Sequence, residues 1–376
     1  MQKLKIDMTY LRDRMVALLN TPSPTGYTEA ASALTCRELQ ALGIEYQLTR
    51  RGAIRATLPG HVSSPDRAIV THLDTIGAQV KQLKDNGRLR VIPVGTWSSR
   101  FAEGAEVRVF TDDGVRHGTL LPLKASGHVW GDEVDTQPVN WENLELRPDE
   151  RSQSADDLAR LGFNVGDLVA VEACPSITDN GFVKSRHLDD KAGVAAMLAA
   201  AKAVLEAGIV PPLDCHLLFT ITEEVGSGAS HVLHQDVAEM VAVDTAPQGG
   251  AQTSNEFCVS VGMGDATGPF DWHLTHHLLK LAREHGISHQ RDLFGCYKTD
   301  AASAVEAGND IRTALLCFGT DATHGWERTH LSSLEGLAEL MALYMQSEPT
   351  VRRDEKLLAG LAGFPSQPVL EAPPQD

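Results

Sequence analysis

A chain of 376 residues, 42% of them hydrophobic, has an ordinary globular composition and suffices for one large α/β unit or two domains. Its formal net charge of −17 argues against nucleic acid or an anionic membrane as a partner. The longest apolar run, Ala192 to Ala201, is too short to span a bilayer, and the amphipathic start MQKLKIDMTYLRDRMVALLN lacks the apolar core of a signal peptide. A soluble cytoplasmic protein is therefore expected.

In chain order, residues 9–43 read as two helices around the turn NTPSPTGYTEA, with Thr28 placed to cap the second. Strands follow in YQLTRRGAIRATL and DRAIVTHLDT. From Gly77 to about Ile177 the texture changes to short β-runs with turn signals. In EVRVFTDDGVRHGTLLPL, Asp113-Gly114 suits a hairpin. One short helix, SADDLARLGF, interrupts the runs. This division predicts an α/β domain over 1–76 and 178–350, with a small β-rich domain inserted over 77–177.

After Lys184 the α/β texture returns. DDKAGVAAMLAAAKAVLEAG is an Ala-rich helix closed by Gly208. The strand LDCHLLFTIT follows, then a helix near GASHVLHQDV and the strand EMVAVD. A helix over DWHLTHHLLKLAREHGI, the strand DIRTALLCFG and a closing helix LSSLEGLAELMALYM complete the pattern. Strands alternating with helices predict a mostly parallel sheet covered on both faces. The last residues, 363–376, contain PSQPVLEAPPQD, which has no core-forming pattern and reads as a disordered tail. The six cysteines are scattered without CxxC spacing, and Cys215, Cys258 and Cys317 lie in apolar strand-like runs. That pattern suits buried thiols in a reducing compartment, with no disulfide frame and no thiolate metal site.

Ligands in open α/β sheets gather beyond the carboxyl ends of the strands. The predicted strands end in His72 and Asp74, in Glu223 and Glu224, and in Asp244, while His324 follows the strand TALLCFG and Asp189-Asp190 opens the Ala-rich helix. Each has an ordinary reading: a hydrogen-bonded core histidine, acidic charge at a helix start, a solvated strand end, a turn aspartate. One metal site accounts for them together. Two histidines and three carboxylates give a bridging Asp plus one His and one carboxylate for each of two divalent ions. Ions about 3.5–4 Å apart can share a water and lower its pKa. The carboxylate left over, from the Glu223-Glu224 pair, suits a general base.

The motifs THLDTIG, SRHLDDKAG, FTITEEVGSGAS, AVD and HGWE resemble, in order, the metal-site motifs of the tetrahedral aminopeptidases, which include the glutamyl and deblocking aminopeptidases. SRHLDDKAG, TGPFDWHLT and THGWERTH are similar to one subgroup, hydrolases associated with the osmoprotectant N-acetylglutaminylglutamine amide. The resemblance implies a three-layer, mostly parallel, phosphorylase/hydrolase-like fold with an inserted oligomerisation domain. It implies that His72 and Asp244 hold one metal, that Glu224 and His324 hold the other, and that Asp189 bridges them. It further makes Glu223 the general base and Asp74 the carboxylate that orients His72. Asp190 is not counted as a ligand.

The sequence departs from the pattern after the last histidine. The family has a glutamate four residues on, whereas HGWE places Glu327 three residues on, leaving its role open and keeping His330 as a weaker ligand candidate. His273, His276 and His277 fall on a predicted helix and read as structural or surface residues. The expectation is a dinuclear aminopeptidase on small peptides, with zinc first and cobalt or manganese as alternatives. A deacylase of N-acylated amino acids or dipeptides is the first alternative, and an inactive scaffold of the same fold the second. A homo-oligomer, from dimer to dodecamer, is the expected assembly.

Overall fold

The computed structural model describes residues 1–367, so the predicted tail from 368 onward lies outside the described residues. The chain opens with helices α1 (Met8–Leu19) and α2 (Glu29–Ala41), then strands β1 (Tyr46–Leu48), β2 (Ile54–Leu58) and β3 (Val62–His72). The insertion carries β4 (Gly77–Leu83), β5 (Leu89–Val94), β6 (Glu106–Thr111) and β7 (Gly114–Pro122). Short helices α3 (Gly127–Trp130) and α4 (Glu133–Thr136) lead to β8 (Leu144–Pro148), α5 (Ala155–Arg160) and β9 (Leu168–Val171). Next come β10 (Ser176–Ile177), β11 (Phe182–Ser185), α6 (Leu188–Glu206), β12 (Leu213–Thr220) and β13 (Val237–Pro247). The remainder comprises β14 (Val259–Gly262), β15 (Gly264–Asp265), β16 (Gly268–Pro269), α7 (Trp272–Glu284), β17 (His289–Asp292), α8 (Asp300–Glu306), β18 (Arg312–Thr320), β19 (Glu327–His330) and α9 (Leu331–Met345).

Eight strands form one sheet in the order β1-β2-β12-β3-β13-β18-β14-β17. The inner four, β12, β3, β13 and β18, are all parallel, so their carboxyl ends share one rim. Their runs are apolar on both faces, as Leu213–Thr220 illustrates with only Asp214 not fully buried, which is the signature of strands covered on two sides. Helix α6 is buried nearly all round. Its alanines let it lie close on β3 and β13 while it also packs against α1 and α9.

Strands β4, β5, β8, β7, β6 and β9 close into an antiparallel barrel with its own apolar core, including Val80, Val107, Leu120, Leu146, Phe163 and Val169. Closure removes the open edges a small sheet would otherwise present. The barrel's strands end at Val171, whereas β10 pairs with β11, and β11 pairs in turn with β19. The hairpin turn sits one residue earlier than the sequence pattern suggests: Thr111 pairs with Gly114, leaving Asp112-Asp113 as the loop. The expected helix near GASHVLHQDV is only a 3-10 turn over Gly228–His231. There the buried Asp300 carboxylate takes the Ala229 N–H at 2.7 Å, outside any helical ladder.

Candidate active site

The rim gathers His72, Asp74, Asp189, Glu223, Glu224, Asp244 and His324. His72 is the last residue of β3, and Asp244 sits within β13, which runs on to Pro247 and does not end at the aspartate. Glu223 and Glu224 lie past β12, in a turn held by the Gly226 N–H to the Glu223 carbonyl at 2.6 Å. Asp189 opens α6, and His324 stands in the loop between β18 and β19 with a left-handed backbone, φ 54°.

The two imidazoles are arranged alike. His72 donates Nδ1–H to the Asp74 backbone carbonyl at 2.9 Å, and its Nε2 faces Asp189 Oδ1 at 3.1 Å. His324 donates Nδ1–H to the Thr96 carbonyl at 2.7 Å. Its Nε2 faces Asp189 Oδ2 at 3.4 Å and Glu224 Oε2 at 3.3 Å. Asp189 thus turns one oxygen to each imidazole. His72, Asp189 and Glu224 each offer a ligand atom within 4.8 Å of the others. Asp189, Glu224 and His324, with Asp244 and Glu223, line a cavity of about 800 Å³ that Pro247, Ala266 and Tyr297 also line.

Residues 52–340 match the M42 glutamyl aminopeptidase family. The chain belongs to that family. YhfE of Bacillus subtilis (strain 168), a provisionally named aminopeptidase, is 37% identical over 331 residues, covering 88% of this chain and 95% of its own. The lysyl aminopeptidase of Pyrococcus furiosus is 25% identical over 226 residues, covering 58% of this chain and 61% of that one. Among solved structures, the TET aminopeptidase of Thaumarchaeota archaeon SCGC AB-539-E09 superposes with a TM-score of 0.80 at 19% identity, over 89% of this chain and 96% of that one. Pyrococcus horikoshii TET1, described as assembling into a tetrahedron or a large octahedral shell, gives 0.77 at 22% identity, over 89% and 99%. At such identities the structures establish the fold: an α/β architecture with a parallel-rich sheet and a small antiparallel β domain. Membership of the M42 family makes the chain a metal-dependent peptidase.

The rim fits divalent cations on its own chemistry. With each Nδ1–H committed to a carbonyl, each Nε2 directs a lone pair at a carboxylate oxygen unless a proton or a metal lies between them. That is the arrangement of metal-binding imidazoles with fixed tautomers. Asp189 and Asp244 are buried, and the Glu224 and Glu223 side chains near them are only 3% and 12% exposed. Lys191, buried two residues after Asp189, turns its amine away to the Thr21 carbonyl at 2.6 Å.

Without cations the charges strain one another. Burial pushes Glu224 up to about 7, and it drives Glu223 and Asp244 upward with their acidic neighbours adding to the effect. Burial opposes a charge on His72, yet the Asp189 hydrogen bond and the surrounding carboxylates hold its pKa well above the usual imidazole value. Burial likewise opposes His324, which Glu224 and Asp189 carry up to about 11.

Three placements differ from the sequence reading or complete it. The Asp74 carboxylate stands 3.7 Å from His72 Nδ1, and the ring is instead fixed by the Asp74 main chain. That carboxylate accepts the Glu223 N–H at 3.1 Å, the Glu224 N–H at 3.3 Å and the Thr25 hydroxyl at 2.7 Å. It therefore holds the turn that carries both glutamates. Glu327 accepts the Asp189 N–H at 3.2 Å and the His324 N–H at 2.9 Å, tying two site residues to one carboxylate. His330 stands away from the rim: it caps α9 through Ser332, and its Nε2 meets the Asn180 carbonyl at 2.9 Å. Of the three helical histidines, His276 stacks on Trp272 and His277 meets Ser347.

Two contributors escaped sequence reasoning. Thr96 acts through its carbonyl, which no side-chain pattern can signal. Thr25, on the loop after α1, reaches Asp74 only because an isolated bridge joins Pro24 to Thr75.

Proposed function

We propose that this protein is a dinuclear aminopeptidase that removes the N-terminal residue of short peptides. The observation that carries this reading is the split carboxylate of Asp189, with Oδ1 toward His72 and Oδ2 toward His324, as a ligand shared by two ions requires. In this reading His72 and Asp244 hold one ion, Glu224 and His324 hold the other, and Asp189 joins them. Zinc is the first expectation, with cobalt or manganese as alternatives, because imidazole and carboxylate donors accept all three. A pair of divalent cations bound there would acidify a shared water and polarise the scissile carbonyl.

The chain's own residues do the rest. Glu223 accepts the proton of the attacking water and returns it to the departing amine. Burial raises its proton affinity, the direction that makes a carboxylate a better general base. Asp74 keeps Glu223 in register through the backbone of the turn. The free amino group of the substrate finds an acidic wall, since Asp244 and Glu223 both line the cavity.

The experiment is a hydrolysis screen over free and N-acetylated dipeptides, including fragments of N-acetylglutaminylglutamine amide, with each metal restored to metal-free protein. Cleavage of free-amine peptides alone is the expected result. Cleavage confined to acetylated substrates would transfer the site to a deacylase.

The insertion over 77–177 is proposed as the oligomerisation domain. The assembly described for Pyrococcus horikoshii TET1 supports an oligomer, and light scattering of the intact protein against a barrel-deleted chain tests whether the insertion builds it. All six cysteines are free and Cys36, Cys215, Cys258 and Cys317 are buried, which supports a cytoplasmic setting.

A further inference from the structure

The two imidazoles of the rim are not held equally. The His72 side chain is 2% exposed and hydrogen-bonds to a carbonyl two residues along its own strand end. The His324 side chain is 28% exposed and stands on a left-handed backbone that a residue with a Cβ keeps only when its surroundings impose it. Glu327 fixes its N–H. Its ring is oriented by the Thr96 carbonyl, which belongs to the loop following barrel strand β5.

We infer that the barrel is a working part of the metal centre: the loop 95–101, braced by Trp141, positions His324 through the Thr96 carbonyl. The brace is specific. Trp97 is buried, donates its indole N–H to the Gly77 carbonyl at 2.9 Å, and packs edge-on to Trp141 with centroids 4.8 Å apart. Trp141 in turn donates its indole N–H to the Trp97 carbonyl at 3.3 Å. Trp141 lies between α4 and β8 and packs on the barrel core. It holds the main chain next to Thr96 without lining the site cavity. Loosening it removes orientation from one imidazole and leaves the other untouched.

This inference rests on the two-ion reading of the site, and one experiment separates them. Bound metal per chain is followed by elemental analysis of the full-length protein against increasing chelator, alongside thermal melting to verify folding. Trp141→Ala is expected to release one ion about 10-fold more readily, at the lower end of what loss of an outer-sphere partner costs, while the second ion stays as in the parent. Trp141→Phe keeps an aromatic ring, smaller than the indole, but loses the N–H, and should fall between the two. Val129→Ser, at a residue 73% exposed on the same excursion, should change nothing. If Trp141→Ala folds and holds both ions as tightly as the parent, the inference is overturned. If it does not fold, Trp141→Phe decides by the same criterion. A His324→Ala protein that still retains both ions would instead refute the two-ion reading itself.

Discussion

At the scale of single residues, Glu223 and Glu224 are neighbours in one turn with different surroundings. Glu224 faces His324 at 3.3 Å and takes the Ile76 N–H at 3.2 Å, whereas Glu223 Oε2 stands 3.9 Å from His72 Nε2. Glu223→Gln keeps the shape but not the basicity, so kcat should drop by roughly 10²–10⁴-fold with both ions still bound. Glu224→Gln should lose an ion. Activity measured beside metal content on the two variants separates them, and exchanged phenotypes would exchange the roles. Glu327 offers a second test. A carboxylate accepting two N–H groups cannot be replaced by an amide, because one of the two would then face an NH₂ donor. Glu327→Gln should therefore weaken metal retention by about 10- to 100-fold, read by chelator competition.

At the scale of elements, β18 delivers His324 and must pass close under the chain that precedes β14. Gly319 permits this, since a Cβ there would lie 1.8 Å from the Asn255 carbonyl oxygen. Gly319→Ala forces two main-chain segments apart and should lower stability by about 1–3 kcal/mol, measured by denaturant unfolding; an unchanged midpoint would show that the strand can shift freely. Elements with strong patterns, such as the Ala-rich α6 and the amphipathic α7, were legible in the sequence. Those whose existence depends on a partner were not. Helix α8 has seven residues, too few to persist alone, and it survives by packing on β13 and β18. Strand β14 has four residues and is defined by its antiparallel pairing with β18 and its parallel pairing with β17.

At the scale of the whole molecule, the rim couples metal to stability. In metal-free protein Glu224 and Glu327 titrate at about 7 and about 8, against an ordinary 4.5. Burial is the main cause in both. The folded state then binds more protons than the unfolded one, so their contribution is complete below about 4.5 and is lost as pH rises through 7 and 8. His324, raised from 6.5 to about 11, acts in the same direction over a higher range. The melting temperature of chelated protein should fall between pH 5 and pH 9, and added divalent metal should restore it most at the alkaline end. A chelated protein whose melting temperature rises over that interval would contradict the charge balance drawn for the rim. Chelation should also abolish peptide hydrolysis, with divalent metal restoring it.

What the amino-acid sequence determined by itself was the set of donors and their order along the chain. Imidazoles and carboxylates at strand ends carry their chemistry wherever they stand, and the parallel sheet that collects them follows from alternating strand and helix patterns. Tertiary structure alone decided what holds each donor. The Asp74 carboxylate turned from the His72 ring to the Glu223-Glu224 turn, Glu327 became a clamp on Asp189 and His324, His330 went to a helix cap, and a barrel carbonyl took the His324 ring. The reason is physical: main-chain N–H and carbonyl groups are the same at every residue. Which of them meets a given side chain is settled only when distant segments pack, and until then nothing in the residue types distinguishes Thr96 from its neighbours.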